Sequence, residues 1–280
     1  MPIRMSFFAK KPNRAYSDGH LQRVSSLIRG NQIAEYIGAK LNPTKGYKND
    51  VCIYVKPHVK PGNDFNFEGR KPYLDICDSP DLYLLARKHP EVPVISASDW
   101  NYQLLKRTLP NKIINIPQQH CNFERIKKSR DGITRVGCIG TVPAFTLLPQ
   151  GLREKLAERG IELWEFSRFF TRQDIIDFYM NIDIQIIWRP NADYRRDILM
   201  NPLKLENSAA FGIPTIAYDE PTFKEMEGCY IPVHTLDEFL TQLDELASSP
   251  SLYAECSERC LKGAEKYHIE NIAKLYLDLL

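Results

Sequence analysis

Twice along the chain, short runs of β-branched and apolar residues alternate with longer stretches whose apolar residues recur at helical spacing. That alternation leaves few folds open, because strand, helix and strand in succession close most readily as a parallel βα unit. In the first half the pattern predicts strands near 3–8, 51–55, 73–77, 93–97 and 112–116, with helices near 19–39, 79–89 and 99–108. Pro57, Pro61, Gly62, Gly69 and Pro72 impose a loop between 56 and 72. In the second half it predicts strands near 133–139, 161–166, 182–188, 214–218 and 229–232, with helices near 149–159, 172–180, 202–211 and 235–247. The charged stretch FERIKKSRDG, 123–132, reads as a linker between two α/β domains with parallel sheets, and the boundary is placed near Ser129. At the end, Ile269, Ile272, Ala273, Tyr276, Leu277 and Leu280 make an amphipathic helix that needs a surface to cover.

Composition excludes some functions. With 37 basic and 35 acidic side chains the formal net charge is +2, which demands neither nucleic acid nor an anionic membrane. The seven cysteines are odd in number and contain no CxxC pair, which fits reduced thiols and a cytoplasmic setting. The first apolar run is too short for a signal peptide, and no window reaches the roughly 20 apolar residues of a membrane span. Phe7, Phe8, Lys10, Lys11 and Arg14 cluster, so they read either as a peripheral membrane contact or as a buried first strand followed by a basic loop.

The stretch NPLKLENSAAFGIP, Asn201 to Pro214, carries the most chemistry. Asn201 is a favoured N-cap and Pro202 a favoured first helical residue, so a helix is predicted to start here with unpaired N–H groups at its tip. Gly212 suits the left-handed position that ends a helix, and Pro214 opens the strand TIAY. Unpaired N–H groups and the helix dipole both favour phosphate at such a tip. Lys204 adds a full positive charge in the first turn. Glu206, about 6 Å along the axis from Pro202, offers a carboxylate to two vicinal hydroxyls. Phosphate at the tip and ribose one turn in is the shape of a nucleotide diphosphate. The same residues also read as a capped crossover helix on which Lys204 and Glu206 are merely solvated.

PLKLENSAAFGIPTIAY resembles the K-x-x-E-x-x-A-x-G-x-P segment of retaining glycosyltransferases with the GT-B fold. The resemblance implies two Rossmann-like α/β domains with parallel sheets and a cleft between them. An acceptor-side domain covers 1–128, a nucleotide-sugar-binding domain covers 129–280, and the final helix packs back on the first domain. It further implies transfer of a sugar from a nucleotide diphosphate donor to a hydroxyl of a glycan, lipid or small-molecule acceptor, with no metal or other cofactor and no nucleic acid. Carried across, Glu206 holds the ribose while Asn201, Pro202 and Leu203 frame the phosphates. The family's E-x7-E pair sets another glutamate on the transferred sugar. Ile198 stands there, with Asp197 beside it as the substitute.

ITRVGCIGT, 133–141, resembles the opening strand of the family's C-terminal domain, which makes Gly140 and Thr141 donor contacts through close backbone approach and a hydroxyl. Arg189 ends the strand IDIQIIW, where strand C-termini border a ligand crevice, so it reads as a cation for the diphosphate or as half of a structural ion pair. Arg153 and Lys155 read as solvated helix residues. SDGHLQRV, 17–24, resembles the loop after the first strand, with Gly19 facing the donor phosphates and His20 exposed or acting beside it. PYLDICDSPD, 72–81, puts Asp78 at a strand end as an acceptor contact; the spacing of Asp75, Asp78 and Asp81 matches no calcium loop or D-x-D pair. KIINIPQQHCNFE, 112–124, resembles the strand and turn that close the N-terminal domain, and sets His120 beside the cleft. His120 and Cys121 are not a nucleophilic pair, since neighbours on an extended chain point to opposite faces. Asp78, His120 and Asp197 are thus the expected catalytic residues. Two alternatives stay open: a GT-B-derived binding or scaffold protein that has lost transfer, and a sugar-nucleotide epimerase or hydrolase on the same fold.

Overall fold

A computed structural model describes residues 3–10, 24–59, 63–190 and 200–280. The chain forms two parallel sheets, as the alternation predicts. The first contains β1 (Met5–Ala9), β2 (Lys40–Leu41), β3 (Val51–Val55), β4 (Lys71–Asp75), β5 (Val94–Ser96) and β6 (Ile113–Asn115), in the order β2-β1-β3-β4-β5-β6. β3 reads VCIYV and is buried throughout, as a strand covered on both faces requires. It pairs in parallel with β1 from Met5 opposite Val51 to Ala9 opposite Val55. Around this sheet lie a π-helical stretch Ser26–Gln32 that continues into α1 (Ile33–Ile37), then α2 (Asp81–Lys88) and α3 (Asp99–Thr108).

The second sheet contains β7 (Arg135–Ile139), β8 (Glu162–Phe166), β9 (Ile184–Ile187), β10 (Thr215–Tyr218) and β11 (Ile231–Val233), in the order β11-β10-β9-β7-β8. The helices here are α4 (Val142–Phe145), α5 (Leu152–Ala157), α6 (Arg172–Met180), α7 (Leu203–Ala210), α8 (Leu236–Ser248) and α9 (Pro250–Ala264), with α10 (Ile269–Leu277) closing the chain. In both sheets the chain first steps one way and then crosses to the other side, so each has a switch point, between β1 and β3 and between β7 and β9. Ligands of such sheets bind in the crevice outside those strand ends.

Some local readings needed correction. β4 ends two residues early because Cys77 adopts φ 45° and donates its N–H to Asp75 Oδ1 at 3.2 Å, which turns the chain. The two-residue edge strand β2 and the helices α4 and α9 had no predicted counterpart. The buried stripe of α9 is only Cys256, Cys260 and Ala264, too small to register as an apolar period, although Ser249 caps it and Pro250 opens it. Phe7 is in the core, and Phe8 stacks on Tyr54 at 4.8 Å between ring centroids, so neither ring is free for a membrane surface. Lys11 and Arg14 lie outside the described residues. Among the described residues no helix is long and apolar enough to cross a membrane, and none of the seven cysteines is paired.

Among the described residues, three sets of contacts tie the two sheets most plainly. The last helix, α10, packs Ile269, Ile272, Ala273 and Tyr276 into the core of the first sheet beside Met5, Phe7 and Ile53. There the Tyr276 hydroxyl donates to Asp75 Oδ2 at 3.2 Å, and Arg29 Nε meets the same oxygen at 2.7 Å, all three residues being buried. The segment after β6 docks on α7: the Cys121 N–H donates to Asn207 Oδ1 at 2.7 Å and the Asn122 amide donates to the Ala210 carbonyl at 2.8 Å. Finally, the Glu225 carboxylate caps the N-terminus of α3 by accepting from the Asp99 N–H.

Two measurements test these ties. Arg29→Met leaves the Asp75 carboxylate buried without its cation, and should cost about 3–5 kcal/mol in urea unfolding at unchanged slope. The double change Arg29→Met with Asp75→Leu should recover most of that loss. Burial pushes the Glu225 carboxyl up to about 7 against the opposing pull of the Asp99 N–H. The folded state therefore binds this proton more tightly than the unfolded one, whose carboxyl sits near ~4.3. Stability from this group is complete below ~4.3 and is lost as pH rises to about 7. Thermal unfolding from pH 4.5 to 7.5 should show a declining midpoint in the wild type, and Glu225→Gln should flatten the decline.

Candidate functional site

A cleft of about 360 Å³ opens between the two sheets. Asp78 and Pro80 form its wall on the first sheet, and Arg189, Asn201, Lys204 and Phe223 form the facing wall with Met200 and Leu203. α7 supplies the floor. Its first helical residue is Leu203 and its cap position is Pro202, one residue later than predicted, but Asn201 still holds the start because its Oδ1 accepts the Leu203 N–H at 3.3 Å. The first backbone bond of the helix runs from the Glu206 N–H to the Pro202 carbonyl, which leaves the Lys204 and Leu205 N–H groups without a helical carbonyl. Gly212 ends the helix at φ 66°, where the Ile213 N–H reaches back to the Ser208 carbonyl at 3.0 Å.

Lys204 is directed by what is missing opposite it. Gly140, the first residue after β7, has no side chain; a Cβ there would stand 3.0 Å from Lys204 Nζ and 3.1 Å from Ala144 Cβ. The ammonium thus lies on bare backbone at the β7–β9 switch point. Among the described residues it makes no hydrogen bond or ion pair. Burial lowers its pKa, Cys138 opposes that, and Arg189 adds to it. Such a cation is short of a counter-charge. Thr141 is exposed, and its hydroxyl caps no backbone group.

Arg189 is already occupied. It pairs bidentately with Glu220, Nε to Oε1 at 2.7 Å and Nη2 to Oε2 at 2.5 Å, and its guanidinium lies 5.9 Å from the Phe223 ring centroid. It lines the cleft as the paired member of the two readings. Asp78 faces the cleft from the end of the first sheet, where Lys56 Nζ meets its Oδ1 at 2.6 Å. Partial burial works against its ionisation, but the Lys56 ammonium prevails and holds the carboxyl below its usual range.

Glu206 and His120, both expected at the site, do not line the cleft, and neither do Gly140, Thr141 and Pro202. Glu206 lies two positions beyond Lys204, and at about 100° per residue that turns it to another face of α7. It is fully buried with neither carboxylate oxygen bonded. Burial, with Glu225 adding to it, raises its pKa well above the ordinary range. Counted from Lys204, the K-x-x-E pattern in fact puts its acidic position on Asn207, whose Oδ1 is taken by the Cys121 N–H. His120 is 3% exposed, its Nδ1 accepts the Asn122 N–H at 3.2 Å, and burial pushes its pKa down to about 3. It is a neutral ring in the inter-sheet seam. Gly19, His20, Asp197 and Ile198 lie outside the described residues.

Lys56, Phe223 and Glu220 belong to this site and had no place in the sequence reading. For Lys56 the signal was available, since it directly follows a buried strand and strand C-termini border the crevice. For Glu220 and Phe223 there was none, because they meet Arg189 only after the chain has turned past β10. Among the described residues no three His, Cys, Asp or Glu side chains assemble as a metal site.

No protein-family model matches the sequence, and no curated protein matches it. Solved structures do match in shape. TarM superposes with a TM-score of 0.60 at 14% identity over 82% of this chain, which spans only 54% of TarM. Anabaena Alr3699/HepE, crystallised with UDP and glucose, gives 0.65 at 9% identity over 99% of both chains. WaaG, a glycosyltransferase involved in lipopolysaccharide biosynthesis, gives 0.57 at 10% identity over 98% of this chain and 99% of its own. At these identities the likeness is one of fold, and the fold of this chain is that of GT-B glycosyltransferases: two parallel α/β sheets facing across a cleft.

Proposed function

We propose that this protein is a glycosyltransferase that binds a nucleotide diphosphate sugar in the cleft and transfers the sugar, with retention, to an acceptor hydroxyl. One observation carries the reading: a Lys204 ammonium, unpaired among the described residues, set on Gly140 at the tip of α7, at a sheet switch point. A half-buried cation without a counter-ion among the described residues and unpaired helix N–H groups ask for the same ligand, a diphosphate. The UDP and glucose held by HepE, on the same fold, agree with that ligand. The wall formed by Asp78 on the opposite sheet belongs to the sugar and acceptor side.

In this reading the diphosphate sits on the Lys204 and Leu205 N–H groups and on Lys204 Nζ, with the Thr141 hydroxyl at its edge. Arg189, already neutralised by Glu220, shapes the wall together with Phe223 more than it adds charge. As the bond to the sugar breaks, negative charge builds on the departing phosphate, where Lys204 and the helix tip stabilise it. The departing phosphate takes the acceptor's proton on the face it leaves, so no separate base is required and retention follows. Asp78 accepts a hydrogen bond from a hydroxyl of the bound sugar or of the acceptor. No residue in this scheme requires a metal.

Calorimetric titration with UDP, GDP and ADP tests the donor site. One of them should bind below millimolar concentration, and Lys204→Met should weaken it roughly 10- to 100-fold, the worth of a hydrogen bond to a charged group. Glu206→Gln should leave the affinity within about twofold, because that side chain faces away from the cleft. Failure of all three nucleotides to bind the wild type ends the donor reading, and an unchanged affinity in Lys204→Met ends the assignment of the phosphate grip.

A further inference from the structure

The switch point of the first sheet lies between β1 and β3, and Lys56 is the residue directly after β3. Its backbone is left-handed, at φ 45°, and so is that of Cys77, the neighbour of Asp78, also at φ 45°. Residues with a Cβ rarely adopt this conformation, and it concentrates where surrounding structure overrides local preference. The two turns converge on one contact. Lys56 Nζ lies 2.6 Å from Asp78 Oδ1, and Ser25 Oγ lies 3.4 Å from each of them. Asp78 lines the cleft, across from Asn201 and Lys204, and Lys56 contacts it without lining the cleft itself.

We propose that Lys56 is a positioning residue, which fixes the Asp78 carboxylate in the cleft wall so that it accepts hydrogen bonds from hydroxyls of the sugar carried by the nucleotide donor. The proposal rests on the nucleotide-sugar reading and adds to it the group that recognises the sugar. Its physical basis is a conflict of charge. A carboxylate facing a diphosphate across a cleft of this size repels it, unless a cation behind the carboxylate offsets the field. Lys56 provides that cation, and its contact fixes Oδ1. Among the described residues the other ionisable groups around this pair are Cys77 and Asp75, with Arg189 and Lys204 across the cleft. Arg189 is committed to Glu220, and Lys204 to the phosphate in the proposed reading, so neither replaces Lys56.

Two measurements test this. In the ligand-free protein, carbon-13 NMR of the side-chain carboxyls follows the titration of Asp78. In Lys56→Met it should bind its proton roughly tenfold more tightly than in the wild type, and Lys56→Arg should restore the wild-type value. An unchanged titration overturns the proposal whatever the nucleotides do. The second measurement compares UDP, GDP and ADP with their glucose conjugates. Lys56→Met and Asp78→Asn should each weaken the conjugate about tenfold and leave the bare nucleotide within about twofold. The double variant should be no worse than either, and the conjugate's affinity in Lys56→Met should begin to fall at a higher pH than in the wild type. Equal weakening of nucleotide and conjugate makes Lys56 merely structural and overturns the proposal. If the Asp78 titration moves as expected but no nucleotide binds the wild type, the donor reading fails, and with it the sugar ligand named here, while the Lys56–Asp78 coupling stands.

Discussion

The Asp75 carboxylate is the constraint around which the two halves are joined. It stands at the end of β4 with no exposed surface, and a carboxylate there is tolerable only if charge and hydrogen bonds meet it. The cation comes from Arg29 in the π-helical stretch after β1, and the hydroxyl comes from Tyr276 in the last helix. One buried group therefore binds three segments that lie far apart in the chain. Because α10 follows the second sheet in sequence yet completes the core of the first, the first half has no finished core without the end of the chain.

The seam between the sheets is polar where one would expect it to be apolar. Glu206, Glu225, Tyr267 and Asn101 all bury polar atoms that have no hydrogen-bond partner there. Burial raises the pKa of both acids, so near neutral pH the seam carries less charge than its composition suggests. The Asp99 N–H on Glu225 and the Cys121 N–H on Asn207 supply the directional contacts. A polar seam holds relative position through geometry while gaining little from burial, which suits two bodies that must meet in one orientation and still admit a ligand.

Within the cleft the charges sort themselves by whether they are matched. Arg189 is matched by Glu220 and Asp78 by Lys56, whereas Lys204 has no partner among the described residues. Paired charges shape a site, and an unpaired one waits for a ligand. That asymmetry distinguishes the phosphate end from the wall opposite it.

Taken alone, the sequence determined the two parallel sheets, nearly every strand and helix, and the start and stop of α7 to within a residue. These follow from local rules: apolar periodicity, caps, and the left-handed glycine at Gly212. It also pointed to Lys204 from its place at a helix tip, and to Gly140 and Asp78 from the resemblance of their segments to the glycosyltransferase family. It did not determine the direction in which a side chain points or what meets it. Glu206 and Lys204 are two residues apart on paper and on different faces once the helix turns. His120 reads as a cleft residue in a turn, and becomes a buried neutral ring only when the second sheet closes over it. Lys56 was one residue past a strand, and gained a role only when Asp78, 22 positions later, was brought against it. Pairing, burial and the field at a charge depend on contacts between residues distant in sequence, and those exist only in the tertiary structure.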